Sequence, residues 1–306
     1  MNLENLLRET LSDLAHEEPP PAPGRFLRAA EPRPRRRRGV AVLAASAVAA
    51  LAVASTLVVH GVSSRDRGDA AAPPTPAQQP MTFVTVPEGV RLAQLFKTLS
   101  SFTGRPVAEF ERAAADGAAL GLPSYAKGAL EGFIPPGVHE LSPSMSPEEI
   151  LRTLVIRFGR AAEKYDLVEI ARRAGRTPLE MLTIASIVQA EAHQEKDMAK
   201  IARVIHNRLD RKMSLRMDSP LLYGLNKYGA VATLKDTRSR TPYNTYRHAG
   251  LPPGPIGNPG SDAIRAALHP APGSWLYFVA TDPEKGTLKF ATSASEYADL
   301  VKERNG

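Results

Sequence analysis

The apolar positions of this chain change their spacing several times, and each change predicts an element. From Met81, the run TFVTVPEGV sets Phe83, Val84 and Val86 in a strand-like alternation that ends in a Pro-Glu-Gly turn. RLAQLFKTLSSF then places Leu92, Leu95, Phe96 and Leu99 at helical spacing. VAEFERAAAD predicts a second short helix, and EGFIPPGVHEL returns as extended chain. Strand, two helices and strand make a small α+β module over 81–145. From residue 146 the period is helical. SPEEILRTLVIRFGRAAEKY opens with Ser146 as cap and Pro147 at the first helical position. TPLEMLTIASIVQAEAHQ opens the same way, with Thr177 as cap, Pro178 first and Glu180 completing a capping-box arrangement. DMAKIARVIHNRLDRKM puts Ile201, Val204, Ile205 and Leu209 on one side of a third helix. A short helix is expected from Ser219 or Pro220, then a long Pro/Gly loop. A helix from Ser261 to Leu268, stopped by Pro270, and the strands WLYFVAT and TLKFAT complete the chain. There is no internal repeat.

Ahead of this folded sequence the pattern is different. GVAVLAASAVAALAVASTLVVHGV, residues 39–62, carries no Asp, Glu, Lys or Arg. At 1.5 Å per residue it is long enough to cross about 30 Å of hydrocarbon. Arg33, Arg35, Arg36, Arg37 and Arg38 abut it on the N-terminal side, which predicts a cytoplasmic N-terminus and a single-pass cell-membrane anchor. A cleaved signal peptide would have a short leading region. Here residues 1–38 form a long polar tail, Pro-rich after one amphipathic stretch from Leu3 to Leu14. Residues 63–80 read as a Pro/Ala-rich linker with little to bury.

Composition then narrows the chemistry. The chain has 306 residues and no Cys, so disulfides and thiolate sites are excluded. The formal net charge of +7 invites a nucleic-acid reading. Its densest part is the Arg cluster beside the apolar run, and beyond that the charges are interspersed, so no nucleic-acid partner is expected. No HExxH, GxSxG or P-loop occurs, and the seven His form no metal signature. No metal or cofactor is expected.

Candidate chemistry lies in three places. In IASIVQAEAHQE, helical spacing puts Ile184, Ile187, Val188 and Ala192 on one face, with Glu191 among them. A carboxyl in such a setting has its pKa raised by desolvation and can act as a general acid and then a base. The alternative is an ion pair with Arg203 or Arg208 of the next helix. The loop TPYNTYRHAGLPPGPIGNPG, residues 241–260, offers the flat faces of Tyr243 and Tyr246 to sugar rings and the polar groups of Asn244 and Thr245 to hydroxyls and amides. A rigid connector is the competing reading. Asp218, in SLRMDSPLLYGL, could orient substrate, but a cap for the short helix that follows is preferred.

Taken in order, LEGFIPPGVHEL, ASIVQAEA, VIHNRL, MSLRMDSPLLYGL, TPYNTYRHAGLPPGPIGNPG and WLYFVAT resemble the MltG (YceG-like) family of membrane-anchored endolytic murein transglycosylases. The resemblance covers roughly residues 81–297. It implies an α+β chain: a LysM-like module over 81–145 and a mixed α/β catalytic domain over 146–306. The activity implied is cleavage of nascent glycan strands between N-acetylmuramic acid and N-acetylglucosamine, ending strand elongation. Glu191 aligns with the family's catalytic acid. Asn207, Asp218, Tyr243, Asn244, Thr245, Tyr246 and Pro253 stand in motifs expected to hold substrate. The family's first acid is replaced by Gln189, and its Gln-Thr-Asp-Pro by Arg216-Met217-Asp218-Ser219. These departures motivate an alternative reading as a non-catalytic peptidoglycan-binding or scaffold protein. The partners implied are peptidoglycan strands, the cytoplasmic membrane and peptidoglycan synthases.

Overall fold

The computed structural model describes residues 80–282 and 286–305. The expected tail, membrane span and most of the linker lie outside these residues. No helix among the described residues is long and apolar enough to cross a membrane. The first strand, β1 (Thr82–Val86), pairs antiparallel with β2 (Gly137–Leu141) in the register Val84↔His139. Between them lie the helices α1 (Leu92–Thr103) and α2 (Val107–Ala114). The ribbon alternates as a half-buried sheet does: Val84, Val86, His139 and Leu141 face the core. Phe83 was expected among the alternating apolar positions, but it falls on the outer face and is 72% exposed. Period two allows only one parity inward, and Val84 and Val86 hold it.

Helix α3 (Pro147–Lys164) begins with the expected cap. Ser146 Oγ accepts from Glu149 N–H at 3.3 Å, and Glu149 accepts in return from Ser146 N–H at 2.7 Å. After α4 (Leu167–Arg173) comes α5 (Pro178–Glu191), started by the matching Thr177–Glu180 box. The amphipathic expectation for α5 gives way here. Every residue from Leu179 to Val188 except Glu180 is buried, so the helix runs through the core instead of along its edge. It packs against α4, α6 (Glu195–Asp210), α7 (Asp218–Gly224) and α8 (Ser261–Leu268). Its internal hydroxyls are satisfied at home, Thr183 on the Leu179 carbonyl and Ser186 on that of Thr183, both at 2.8 Å.

The chain ends in an antiparallel ribbon, β3 (Tyr277–Asp282) with β4 (Thr287–Ala291), followed by α9 (Ala294–Asn305). Among the described residues the two sheets are each two-stranded and antiparallel. The architecture is therefore α+β, and the α/β expectation for residues 146–306 is corrected accordingly, because no strand–helix–strand crossover occurs there among the described residues.

One hydrophobic core joins the parts, from Val84 through Phe133 and Phe158 to Leu268. The Pro/Gly-rich strap 251–260 stitches it together. Gly89 N–H donates to the Asn258 carbonyl at 2.8 Å, and Asn258 N–H to that of Val90 at 3.0 Å. The buried Asn258 Oδ1 takes the N–H groups of Gly132 and Ile134 at 3.1 and 3.3 Å. On the other side, Ile256 N–H reaches Ser186 Oγ at 3.0 Å and Gly260 N–H reaches Gln189 Oε1 at 2.9 Å. The strap thus locks α5 to the chain before residue 146.

Candidate active site

Glu191 is the last residue of α5, where the buried helix comes out at a recess. Ala190, Glu191, Asp218 and Ser219 line one side of it. Phe278 and Ala280 of β3 and Leu288 of β4 make an apolar wall, and the exposed His193 stands at the rim. Ser219, at the start of α7, holds one carboxyl oxygen. Its Oγ donates to Glu191 Oε1 at 2.6 Å, and its backbone N–H to the same atom at 3.3 Å. Oε2 has no hydrogen-bond partner among the described residues and is not sealed in the interior. The Glu191 pKa is raised to about 7, chiefly by burial and in smaller part by the neighbouring Asp218 charge, with the Ser219 bonds opposing both. Near neutral pH this carboxyl is therefore half protonated. Its proton belongs on Oε2, since Oε1 is already accepting. The arrangement presents one acidic O–H to the recess.

The ion-pair alternative for Glu191 is overturned. Arg203 donates to the carbonyls of Ala271 and Pro270, and Arg208 to those of Leu276, Ser214 and Leu215. Neither is a partner of Glu191.

Asp218 lines the recess beside Glu191. It does not cap α7: Met217 occupies the cap position, and the Asp218 carboxylate takes the Tyr246 hydroxyl at 2.6 Å. Burial raises the Asp218 pKa above its usual range, with the Tyr246 bond opposing. Tyr246 therefore orients an acid, and its hydroxyl is committed to that bond. Tyr243 lies away from this recess, its ring 4.8 Å from that of Tyr223. Asn244 and Thr245 were expected to reach toward substrate, yet they are 0% and 2% exposed. Asn244 donates to the carbonyls of Thr237 and Ser239 and accepts from Tyr246 N–H. Thr245 Oγ1 both accepts from Met217 N–H and donates to the Met217 carbonyl. Buried polar groups must be paired, and here they brace the loop on which Tyr243 and Tyr246 ride. Asn207 binds the carbonyls of Gly273 and Trp275 ahead of β3. Pro253 is exposed on the strap and lines neither recess wall. Gln189 ties α5 to the strap, as described above. Ser219 was missed by sequence reasoning; no spacing rule links it to an acid 28 residues earlier.

A pair of opposite shifts tests this electrostatic picture. Activity that needs protonated Glu191 persists below pH 7 and falls about tenfold per pH unit above it. Asp218→Asn removes a charge that disfavours the carboxylate, so the alkaline limb moves to lower pH. Ser219→Ala removes bonds that favour the carboxylate, so it moves to higher pH. Rate profiles of the two variants that shift together would contradict the assignment.

Comparisons with known proteins follow the same lines. The chain is 34% identical over 179 residues to the endolytic murein transglycosylase of Bacillus subtilis, covering 58% of this chain and 48% of that protein. It is 28% identical over 257 residues to the one of Streptococcus pneumoniae serotype 2, covering 74% of this chain and 45% of that protein. The chain thus spans about half the length of these curated relatives. A crystal structure of a YceG-like protein from Listeria monocytogenes superposes with a TM-score of 0.65 at 28% identity, over 71% of this chain and 75% of that one. The model of the YceG-like family matches residues 64–303, and the chain belongs to that family.

Proposed function

We propose that this chain is a membrane-anchored endolytic lytic transglycosylase acting on peptidoglycan. The observation that carries the reading is the Glu191 carboxyl, with one oxygen tied to Ser219 and the other open to an apolar recess, at a pKa of about 7. The similarity to two endolytic murein transglycosylases supports it. Such chemistry needs one proton-shuttling carboxyl. Glu191 Oε2–H gives its proton to the glycosidic oxygen as the muramic C1–O bond breaks. The muramic C6 hydroxyl then bonds to C1, and its proton passes to the Glu191 carboxylate. The products are a 1,6-anhydromuramyl end and a free glucosamine hydroxyl, and the acid is restored. Intramolecular attack supplies a high effective concentration without external water. In this reading residues 39–62 are the anchor, residues 81–145 a LysM-like module and residues 146–306 the catalytic part. The enzyme terminates nascent strands beside the synthases that make them.

A second reading is favoured by one observation: Asp218 lines the same recess. Two carboxyls could support hydrolysis, one activating water. Mass spectrometry of strands incubated with the protein separates the two. Anhydromuramyl ends are expected; reducing ends would assign a hydrolase, and binding without soluble fragments a non-catalytic wall protein.

A further inference from the structure

A second cleft opens at the other end of α7, lined by Arg91, Glu131, Tyr223, Tyr228 and Tyr243. The Tyr223 hydroxyl donates to Glu131 Oε2 at 3.0 Å, and Leu92 N–H to Glu131 Oε1 at 3.1 Å. The Arg91 guanidinium lies over the Tyr228 and Tyr223 rings, 4.4 and 5.2 Å from their centroids. The two rings restrain it. Its Nη1 is buried with no hydrogen-bond partner among the described residues. Leaving such a donor unpaired is costly. Arg91 as a whole is only half-buried and lines the cleft, and the rest of its planar guanidinium fits the geometry of a carboxylate.

This cleft is coupled to the Glu191 recess by α7 itself. Ser219 and Tyr223 are four residues apart, so they share a face at about 6 Å of rise. The Ser219 hydroxyl goes to Glu191 and the Tyr223 hydroxyl to Glu131. The loop above repeats the pairing: Tyr243 packs on Tyr223 and Tyr246 binds Asp218. Two half-buried glutamates, each held by a hydroxyl, thus bracket one helical turn. Burial raises the Glu131 pKa to about 7 as well, so near neutral pH Glu131 only partly offsets the positive charge of Arg91.

We propose that the Arg91–Glu131–Tyr223 cleft is a second ligand site, one that binds a carboxylate of the peptide stem carried by a strand whose sugars occupy the Glu191 recess. The inference rests on the glycan-strand reading above. The strand's sugars are N-acetylated, and the muramic lactyl group is amide-linked to its stem. The free carboxylates are therefore on the peptides. An extended peptide advances about 3.5 Å per residue, so a stem of a few residues reaches from one site to the other. Arg91 is then a specificity residue that selects stem-bearing strands over bare ones.

The experiment uses the full-length chain carrying Glu191→Gln, so that binding is read without turnover. Two probes are compared: glycan strands with their stems, and the same strands stripped of stems by an amidase, with the lactyl carboxylates this frees capped as neutral methylamides. Stem-bearing strands are expected to bind about tenfold tighter, the worth of one charge-assisted hydrogen bond. Free stem peptide should compete with them. Arg91→Gln should erase the difference and leave binding of stripped strands unchanged. Equal binding of the two probes by the parent overturns the proposal, and this comparison needs no further variant to fold. So does an Arg91→Gln chain, with unchanged melting temperature, that weakens both probes equally, since Arg91 would then serve sugar or scaffold. If anhydromuramyl ends form while the probes bind alike, this inference fails and the proposed activity stands. If stem-dependent binding persists but no strand is cut, the catalytic reading fails alone.

Discussion

Glu191→Gln should lower strand cleavage by a factor of about 10² to 10⁴, the usual worth of a positioned general acid, and at the same time stabilise the fold at alkaline pH. The first effect follows from losing the only O–H that the recess presents from α5. The amide can still accept the Ser219 hydroxyl, so the local geometry is kept. The second effect follows from linkage. The folded pKa lies at about 7, above the ordinary 4.5. Below pH 4.5 both states are protonated and the carboxyl is neutral to stability. As pH rises through 7, the unfolded chain ionises freely while the folded one must ionise against burial. The resulting cost approaches about 3 kcal/mol above pH 7. Removing it should raise the melting temperature by roughly 5–10 °C at pH 8.5 for a unit of this size, with no gain near pH 4. Melting curves at the two pH values, taken with rates on the same preparations, check both effects. A folded variant with parental activity would end the catalytic assignment. A melting-temperature difference that ignores pH would remove the desolvation argument.

Gly132→Ala should lower the melting temperature by about 5–15 °C, the shift expected for roughly 2–5 kcal/mol in a unit of this size. Gly132 has φ +86°, where a side chain is strained. An added Cβ would lie 2.5 Å from Pro255 Cβ and 2.6 Å from its Cγ. Pro255 cannot retreat easily. Its strap is fixed by Ser186 and Gln189 on one side and by Asn258 on the other, where Gly132 itself donates to Asn258. Overpacking therefore adds to backbone strain. Gly121→Ala is the control: its φ is +76°, but nothing lies within 4 Å of the added atom. It should show only the strain cost, about 1 kcal/mol. Thermal melts of the two variants that fall together would show that the strap is not the rigid clamp described.

The local grammar of the chain was largely readable. Ser146-Pro147 and Thr177-Pro178 announce two helix starts, and both caps form because the partner glutamate lies three residues away. Helices α4 and α9 went unread. α4 has only seven residues and enters through Asp166 at φ +49°, and α9 mixes charged and apolar residues without a clear stripe. The site was legible at one atom group, the carboxyl of Glu191, because a glutamate among Ile and Val has to be explained. Its partners were not. Asp218 looked like a cap from its neighbours in sequence, yet its partner is Tyr246, 28 residues on. Asn244 and Thr245 looked like ligand contacts by residue type, yet both are buried on backbone groups.

The sequence by itself determined where helices begin, the absence of thiol chemistry, and which acid has no ordinary reason to be there. These depend on residues a few positions apart, where period and capping operate. Only the tertiary structure decided that α5 is buried on all sides, that Ser219 and Asp218 set the protonation of Glu191, and that Arg91 meets Glu131 and Tyr223 in a second cleft. Those outcomes depend on desolvation and on hydrogen bonds between segments remote in the chain, and neither exists until the core has closed.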